Sequence, residues 1–266
     1  MKIKLLVFAC TLFLVQACGT KSTESEASEA PMEEVVEEEI TEEPGVNSLM
    51  EDEKADGWML LFDCKTSEGW RGYKKETFPV AWNIDNEALH IQGSGRGEAG
   101  AADGGDIVYD KEFANFHFKV EWMVDSAANA GIFYRGLEEY DYIWKSAPEM
   151  QVLDNIHHPD AKLGKNGNRQ AGSLYDLIPA SPQNFKGHGT WNQAEVLAIG
   201  NEITHIQNGD TVVQYTIGSE EMNALIADSK WPGINENWAN ISAQGLIGLQ
   251  DHGDNVWFRN IKIKEL

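Results

Sequence analysis

The segment FHFKVEWMV, residues 116–124, alternates apolar and polar side chains from Phe116 to Trp122. A period of two is that of a β-strand that buries one face and exposes the other. The apolar residues are Phe116, Phe118, Val120 and Trp122, and the polar residues between them are His117, Lys119 and Glu121. The segment therefore predicts a half-buried strand in a sheet that packs against a core.

Further strand-like segments lie on both sides of this one. They are WMLLFD (58–63), AGIFYRG (130–136), EMQVLD (149–154), WNQAEVLAIG (191–200), EITHIQNGDTVVQYTI (202–217), GLIGLQDH (245–252) and VWFRNIKIKE (256–265). Asn208-Gly209 separates two alternating runs, which is the signature of a β-hairpin. One helix is predicted within residues 219–231, where Ser219 is suited to the N-cap.

These patterns together predict an all-β fold. Many short strands separated by turn residues favour a sandwich of two antiparallel sheets with one short helix. A barrel is the alternative, and a propeller is not favoured because the chain shows no repeat of blade length. In a sandwich, the free face of one sheet can carry polar residues from several strands over a ligand groove.

Residues 1–17 have the features of a lipoprotein signal peptide. Lys2 and Lys4 precede an apolar run that is too short to span a bilayer. The residues before Cys18 resemble a bacterial lipobox, which predicts lipid attachment there; an ordinary signal peptide cleaved nearby is the alternative. We therefore expect an exported protein, held at the bacterial outer membrane by its lipid alone and facing the periplasm or the cell surface.

Residues 18–55 are predicted to form an acidic, disordered tether, and residues 56–266 the folded domain. The tether is rich in glutamate and cannot bury enough apolar surface to offset its chain entropy. Cys64 is the only cysteine of the predicted domain, so no disulfide is expected within it. The formal net charge of −22 disfavours nucleic acids and anionic membrane surfaces as partners. No obligate protein partner is indicated.

Strand alternation brings several polar residues to one face of a sheet. Glu149 and Gln151 share one side of their strand, Gln250 and His252 share one side of theirs, and Arg135 follows an apolar run. Polar side chains on strands with an otherwise buried pattern need either partners or a ligand. This face is therefore a candidate site.

Two histidine-containing segments fit either metal or turn chemistry. In DNIHHPD, residues 154–160, Asp154 and His157 are candidate ligands of one divalent cation of unidentified type. A turn-stabilising role is the alternative, since consecutive histidines do not easily face one ion. Asp251 and His252 likewise fit a capped turn or the edge of a site, with Asp251 supporting the His252 ring. No nucleotide cofactor is indicated.

The aromatic residues Trp144 and Tyr175 lie in less regular segments, where their rings can stack on sugars. Together with acidic groups and export, they favour a carbohydrate ligand. Arg135 is a candidate for a structural ion pair with Glu121 or Glu149, and this role is compatible with a substrate clamp.

Six segments, in order, resemble the family of 3-keto-disaccharide hydrolase domains, also known as domain of unknown function 1080. They are GWMLLFDCKTSEGWRGY, NAGIFYRG, PEMQVLDNIHHPDAKLG, AGSLYDLIPA, WNQAEVLAIGNEITHIQNG and GLIGLQDHGDNVWFRNIKIKEL. The resemblance covers nearly all of residues 56–266. It implies a concanavalin-like jelly-roll sandwich and an enzyme acting on a small keto-sugar or oligosaccharide whose C3 hydroxyl has become a ketone.

A ketone at C3 acidifies the hydrogen at C2, so a base can form an enolate that expels the C1 substituent before water adds. The reaction needs a base, a group that stabilises the enolate oxygen, and an acid. We expect Glu149 or His252 to be the base and the other to be the acid, with Arg135, a bound cation or both stabilising the enolate. The other expected roles are substrate binding by Gln151, Asp154, Gln250, Tyr175 and Trp144, and support by Asp251 and Glu121.

Two other function classes remain open at this point. A non-catalytic, lectin-like module would bind the sugar without exchanging its C2 hydrogen. An ordinary glycosidase would have two carboxyl groups facing each other about 5–5.5 Å or about 6.5–9.5 Å apart.

Overall fold

Strand β6 (Phe116–Val124) lies inside the larger of two sheets in the computed structural model, which describes residues 45–97 and 100–266. Its residues alternate between buried and partly exposed, as predicted from the sequence. It pairs antiparallel with β9 (Asn192–Ile199) on one side and with β13 (Val256–Glu265) on the other.

Within the described residues, the remaining strands and the helices follow the chain in this order. The strands are β1 (Trp58–Leu60), β2 (Trp70–Gly72), β3 (Trp82–Asp85), β4 (Ala88–Ile91), β5 (Ile107–Phe113), β7 (Asn129–Gly136), β8 (Glu149–Leu153), β10 (Glu202–Gln207), β11 (Asp210–Thr216) and β12 (Gly245–Leu249). The helices are α1 (Glu51–Ala55), α2 (Glu220–Ala227) and α3 (Trp231–Ile234), with 3-10 helices at Ile143–Lys145 and Pro159–Lys162. Among these residues, no helix has the length and apolar character that a membrane span requires.

The described strands form two antiparallel sheets, as predicted. The eight-stranded sheet has the order β11-β10-β9-β6-β13-β4-β3, with β1 also paired to β13, and the five-stranded sheet has the order β2-β5-β12-β7-β8. Apolar residues of both sheets meet in one core, among them Trp122 and Phe258 from the larger sheet and Ile132, Met150 and Ile247 from the smaller one. The expectation of a jelly-roll-like sandwich is confirmed.

Two local predictions are also confirmed. Asn208 and Gly209 both have positive φ, 50° and 87°, and connect β10 to β11 in a tight hairpin. The Ser219 side chain accepts a hydrogen bond of 3.1 Å from Met222 N–H at the start of α2. The helical segment is shorter than the sequence suggested, because α2 ends at Ala227 and a separate turn begins at Trp231.

Residues 45–55 lie against the outer face of the larger sheet, although their composition placed them in the tether. Asn47 is buried and exchanges two hydrogen bonds with Asn260, of 2.6 Å and 2.7 Å. Glu53 forms an ion pair with Lys262. These specific partners give the segment a fixed place that its acidic composition does not reveal. The predicted signal peptide, Cys18 and the rest of the predicted tether lie outside the described residues.

Candidate functional site

The outer face of the five-stranded sheet carries the polar side chains predicted from strand alternation. Along β8, Met150 and Val152 belong to the core, while Glu149 and Gln151 face the opposite side. The same alternation on β12 places Leu249 in the core and Gln250, which follows it, on the outer side. The outer face therefore carries the candidate site.

A second apolar cluster covers part of this outer face. It contains Phe133 and Leu246 from the sheet and Ile143 from the 3-10 helix that crosses it. Two side chains donate hydrogen bonds to carbonyls of this helix: Trp238 Nε1 to that of Trp144 (3.0 Å) and Asn235 Nδ2 to that of Lys145 (2.8 Å). The covered area leaves a cavity beside it.

The cavity has a volume of about 80 Å³ and is open to solvent. Six of the predicted site residues line it, namely Trp144, Glu149, Gln151, Tyr175, Gln250 and His252. The sequence did not single out its other lining residues, which are Asn129, Lys230, Trp231 and Ile234. The structure thus brings together residues from β7, β8, the β12–β13 loop and the α2–α3 region.

The backbone around Glu149 explains how a carboxylate is held at this buried position. The residue is 5% exposed, and its carbonyl accepts a hydrogen bond of 3.0 Å from Tyr175 N–H. Gly131 on the neighbouring strand has no Cβ, and the Glu149 carboxylate occupies the space that a Cβ would fill. The glycine therefore makes room for the acid.

Tyr175 is fixed by a polar network at the edge of the cavity. Its hydroxyl donates to Asp160 Oδ2 (2.9 Å) and accepts from Lys230 Nζ (3.1 Å). Arg169 Nη1 donates to the other oxygen of Asp160 (2.8 Å). Burial, with the charges of Glu149 and Asp160 adding to it, raises the pKa of Tyr175 well above its ordinary value. Tyr175 is therefore a neutral hydrogen-bonding group at neutral pH.

Lys230 is the cationic residue that sequence reasoning missed. Its ammonium lies 4.3 Å from the centre of the Tyr175 ring and 5.0 Å from that of the Trp231 ring. Such cation–π contacts hold the ammonium against the two rings. Lys230 was not predicted as a site residue because it lies within residues 219–231, whose pattern predicts a helix. Its aromatic neighbour Trp231 is the only local feature that indicates a site.

Some polar atoms of the lining residues have no partner among the described residues. They are the side-chain oxygens Asn129 Oδ1 and Gln250 Oε1 and the indole nitrogen Trp231 Nε1, all of them buried. Buried polar atoms are almost always hydrogen-bonded in native proteins. Two acceptors and a donor around one cavity are suited to a ligand that is rich in hydroxyl groups.

Asp251 does not support the His252 ring, contrary to the sequence-based expectation. Its Oδ2 accepts hydrogen bonds from the N–H groups of Ala101 (2.8 Å) and Gly105 (2.7 Å), and its Oδ1 accepts one from Gly253 N–H (3.0 Å). Strand alternation points Asp251 away from the cavity, toward the neighbouring loop. Asp251 therefore anchors the loop that contains Ala101 and Gly105.

Asp254 takes the place near His252 that was expected for Asp251. Its Oδ2 lies 4.0 Å from His252 Nδ1 and accepts a hydrogen bond of 3.0 Å from Asn129 N–H. Burial raises the pKa of Asp254 above its ordinary value. Sequence reasoning passed over this residue because it lies in a turn with no regular alternation.

Two other predicted residues, Arg135 and Glu121, do not reach the cavity. Arg135 has a φ of 56°, so the alternation of β7 breaks there, and Nη2 of its buried side chain donates to the carbonyls of Ala114 and Gly200. Glu121 lies on the larger sheet and pairs with Arg259 at 2.8 Å. Arg135 is therefore not placed to clamp the substrate, and Glu121 is not placed to support the site.

Two groups of His and Asp residues have metal-ligand atoms within 4.8 Å of one another. The first joins Asp154 and His157, as predicted, to His188; the second joins His158, His252 and Asp254. His188 comes from a separate loop, and no sequence pattern marks it as a metal ligand. The structure thus contains residue groups that are able to hold a metal ion.

The Asp154 carboxylate organises the first of these groups. Its Oδ2 accepts hydrogen bonds from Ala127 N–H (2.9 Å) and His157 Nδ1 (2.7 Å), and its Oδ1 accepts one from Ile156 N–H (3.0 Å). Burial by itself would raise the pKa of Asp154, but these donors hold it below its ordinary value. The carboxylate therefore stays ionised and directs the His157 ring.

Comparison with known proteins gives consistent matches. The family described as the 3-keto-alpha-glucoside-1,2-lyase-like domain matches residues 57–264. A 3-keto-disaccharide hydrolase from Bacteroides thetaiotaomicron is 41% identical over 281 residues, which cover 97% of each chain. The chain also resembles two crystal structures from Parabacteroides distasonis of proteins assigned to the glycosyl hydrolases. One has a TM-score of 0.73 at 27% identity and covers 84% of this chain and 100% of its own. The other has a TM-score of 0.59 at 25% identity and covers 79% and 99%.

Proposed function

The chain belongs to the family of 3-keto-alpha-glucoside-1,2-lyase-like domains, and from this premise we propose that it cleaves the glycosidic bond of 3-keto-glycosides by elimination followed by hydration. Membership makes it a glycoside hydrolase-type enzyme. The observation that carries the proposal is the cavity on the outer face of the five-stranded sheet, which collects Glu149, Lys230 and His252.

The first step is the removal of the C2 proton by the Glu149 carboxylate. The C–H electron pair forms a double bond between C2 and C3, and the carbonyl oxygen at C3 takes up negative charge. Glu149 suits this role because it lines the cavity and is 5% exposed, so its carboxylate is shielded from water. A base within reach of a hydrogen made acidic by a ketone needs no nucleophilic partner.

Lys230 stabilises the enolate oxygen in this proposal, in place of Arg135. Its ammonium has three donors, of which one is used by the Tyr175 hydroxyl. A fixed cation stabilises a developing oxyanion without having to reorganise during the reaction.

In the second step the C3 carbonyl re-forms, the C1–C2 double bond appears and the bond between C1 and the leaving oxygen breaks. His252 donates a proton to that oxygen. Water then adds across the C1–C2 double bond, with hydroxyl at C1 and hydrogen at C2, so the net change is hydrolysis. Gln151, Gln250 and Asn129 are placed to hold the sugar hydroxyls.

The composition of the cavity supports this route over a two-carboxylate glycosidase. Among the described residues that line the cavity, Glu149 is the only carboxylate. An oxocarbenium mechanism requires a second carboxyl group that faces the first. A lectin-like module is also less consistent with a buried carboxylate and a cation that face one cavity.

The proposal is tested by exchange of the C2 hydrogen in deuterated water, followed by NMR. We expect the wild-type protein to exchange C2 of a 3-keto-glycoside and to cleave it, but to leave the unoxidised parent glycoside unchanged. Glu149→Gln should lose both exchange and cleavage, whereas His252→Ala should keep more of the exchange than of the cleavage. Undiminished turnover in both variants, or cleavage of the unoxidised parent, would overturn the assignment.

We also propose that Asp154, His157 and His188 hold one divalent cation. Support comes from the ligand atoms of these three residues, which lie within 4.8 Å of one another. Such an ion, when bound, would supply Lewis acidity toward sugar oxygens. No step above depends on it.

Isothermal titration with Zn²⁺ and with Mn²⁺ tests the cation site independently of activity. We expect one site per chain, lost in His188→Ala and kept in His158→Ala, which removes a histidine of the other group. Binding that survives His188→Ala but not His158→Ala would place the ion elsewhere. Absence of binding to the wild-type protein would also contradict the proposal.

Finally, we propose that Cys18 carries a lipid and that the enzyme works outside the cytoplasm, with the residues between Cys18 and Gly45 as the tether. The support is the signal-like segment and lipobox described above. Labelling with a radioactive fatty acid, and its loss in Cys18→Ser, tests the point; a wild-type protein that stays unlabelled would contradict it.

A further inference from the structure

Arg169 joins two carboxylates behind the cavity wall. Its Nη1 donates to Asp160 Oδ1 (2.8 Å) and its Nε donates to Asp176 Oδ1 (2.6 Å). The Arg169 side chain is 18% exposed, and those of Asp160 and Asp176 are 16% and 7% exposed. A planar guanidinium with several fixed donors is suited to binding two acids at once. Arg169 itself is not among the described residues that line the cavity.

Each of the two carboxylates holds a different part of the Tyr175–Lys230 pair. Asp160 Oδ2 accepts from the Tyr175 hydroxyl (2.9 Å), whose oxygen accepts from Lys230 Nζ (3.1 Å). Asp176 Oδ2 accepts a longer hydrogen bond, of 3.4 Å, from the backbone N–H of Lys230. Arg169 thus binds one oxygen of each acid, and the other oxygen of each acid binds Tyr175 or Lys230.

The Tyr175 ring also lies between Arg169 and the cavity in the order of contacts. The centre of the ring is 5.4 Å from the guanidinium carbon of Arg169 and 4.3 Å from Lys230 Nζ. Tyr175 and Lys230 both line the cavity. Any influence of Arg169 on a ligand therefore passes through these two residues.

The charges of this network balance only when Arg169 is present. Arg169 and Lys230 are two cations, and Asp160 and Asp176 are two anions. Without the guanidinium, two carboxylates would attract one ammonium, and Coulomb attraction would draw Lys230 Nζ toward them. With the guanidinium in place, the ammonium donates to the neutral hydroxyl of Tyr175. An ammonium bound to an acid is a weaker stabiliser of a second anion than one bound to a neutral hydroxyl.

We propose that Arg169 is a positioning residue for the Lys230 ammonium: it neutralises Asp160 and Asp176 and so leaves the ammonium available to the enolate oxygen. This inference rests on the proposed function and adds to it a residue that does not touch the substrate. Arg169 acts on the step that forms the enolate. It does not act on substrate binding, which uses the cavity amides.

The test measures C2 hydrogen exchange of a 3-keto-glycoside in deuterated water. We expect Arg169→Met to lower kcat for exchange about 10- to 10²-fold, because the ammonium is displaced, and to leave KM within about threefold of wild type. Arg169→Lys keeps the charge and should recover part of kcat. A change in KM with kcat unchanged would overturn the proposal.

Arg71→Met is the matched control. The Arg71 side chain is also 18% exposed and also bridges two carboxylates, those of Asp110 and Glu138, but Arg71 is not among the residues that line the cavity. We expect this variant to keep the kcat of wild type. An equal loss of kcat in Arg71→Met and Arg169→Met would overturn the proposal, because the loss would then follow from removing any such bridge.

A double-mutant cycle separates positioning from a general structural role. In the Lys230→Met background, Arg169→Met should have little further effect on exchange, since the ammonium that Arg169 positions is absent. An equal fold-loss in both backgrounds would overturn the proposal. Absence of C2 exchange with wild-type protein would instead overturn the proposed function, so the two failures are distinguishable.

A second variant keeps the outcome clear if Arg169→Met is unstable. Arg169→Met combined with Asp160→Asn removes one cation and one anion, and the asparagine oxygen can still accept from the Tyr175 hydroxyl. We expect its kcat for exchange to lie between those of Lys230→Met and wild type. A folded double variant with a kcat as low as that of Lys230→Met would contradict the charge argument.

Discussion

The Glu149 carboxylate lies in the space beside β7 that a side chain at Gly131 would fill. Gly131 pairs with Gln151 across the two strands, and the Glu149 carboxylate reaches over the glycine from two residues away. Glycine in the interior of a strand weakens it and often marks a close approach. Here the group that approaches closely is the carboxylate of Glu149, the proposed base. Its position depends on the absence of a methyl group at residue 131.

Gly131→Ala is therefore expected to lower kcat/KM strongly while the fold persists. The added methyl group displaces the carboxylate, and a displacement of the order of 1 Å costs roughly 10²-fold in rate. Kinetics on a 3-keto-glycoside and thermal unfolding check this. Gly45→Ala is the control, because a Cβ there meets nothing within 4 Å. A Gly131→Ala enzyme with wild-type kcat/KM would contradict the placement of Glu149.

Sequence alternation predicted this part of the site because the relevant strands are regular. Glu149, Gln151 and Gln250 face the cavity as their spacing requires. Alternation of side chains requires extended backbone at each residue. Glu149 and Gln151 lie within β8, and Gln250 directly follows the last residue of β12. The two-sheet architecture followed from the same regularity in β6, where buried and partly exposed residues alternate.

Lys230→Met is expected to reduce C2 exchange of the keto-sugar by about 10² to 10³-fold, the usual cost of removing one oxyanion-stabilising group. The reason is that the enolate oxygen loses its cation, whereas substrate binding through the cavity amides remains. Lys230→Arg should recover part of the rate. Lys165→Met is a matched control, since Lys165 is exposed and pairs with Asp228. Equal exchange in Lys230→Met and wild type would remove Lys230 from the mechanism.

The residues that sequence reasoning misplaced or missed have three separate physical causes. A left-handed φ of 56° at Arg135 breaks the alternation that assigned it to the cavity face. Lys230 and Asp254 come from loops that approach the sheet only after the chain has folded, so no local pattern marks them. Asp251 was assigned to His252 by adjacency, whereas successive residues of an extended chain point in opposite directions.

Asp251→Asn is expected to loosen the loop that contains Ala101 and Gly105. The carboxylate accepts charge-assisted hydrogen bonds from both N–H groups through one oxygen, and such bonds contribute about 1.5–3 kcal/mol each. Hydrogen exchange should show faster exchange at these two amides, while amides of β6 remain protected. Unchanged exchange at Ala101 and Gly105 would show that the loop has another anchor.

The buried His205 makes stability depend on pH. Its Nε2 accepts a hydrogen bond of 2.7 Å from the Tyr134 hydroxyl, and its Nδ1 donates to the Gly172 carbonyl at 3.1 Å. Burial lowers the pKa of His205 to about 4 from 6.5. Between these two pH values, His205 is protonated in the unfolded chain and neutral in the folded protein. Its contribution to stability is therefore full above pH 6.5 and is lost as the pH falls toward 4.

The loss due to His205 should reach about 3 kcal/mol in the free energy of unfolding, at about 1.4 kcal/mol for each pKa unit. Asp106 acts in the opposite sense, because burial raises its pKa to about 7 and its ionisation destabilises the fold as pH rises. The contribution of His205 is therefore isolated by comparing wild type with His205→Gln, which does not titrate. In urea unfolding at pH 7.5, the variant should be less stable than wild type. At pH 4.5 this difference in the free energy of unfolding should be smaller by roughly 2–3 kcal/mol. A difference that stays constant across this range would mean that His205 is protonated in the folded protein.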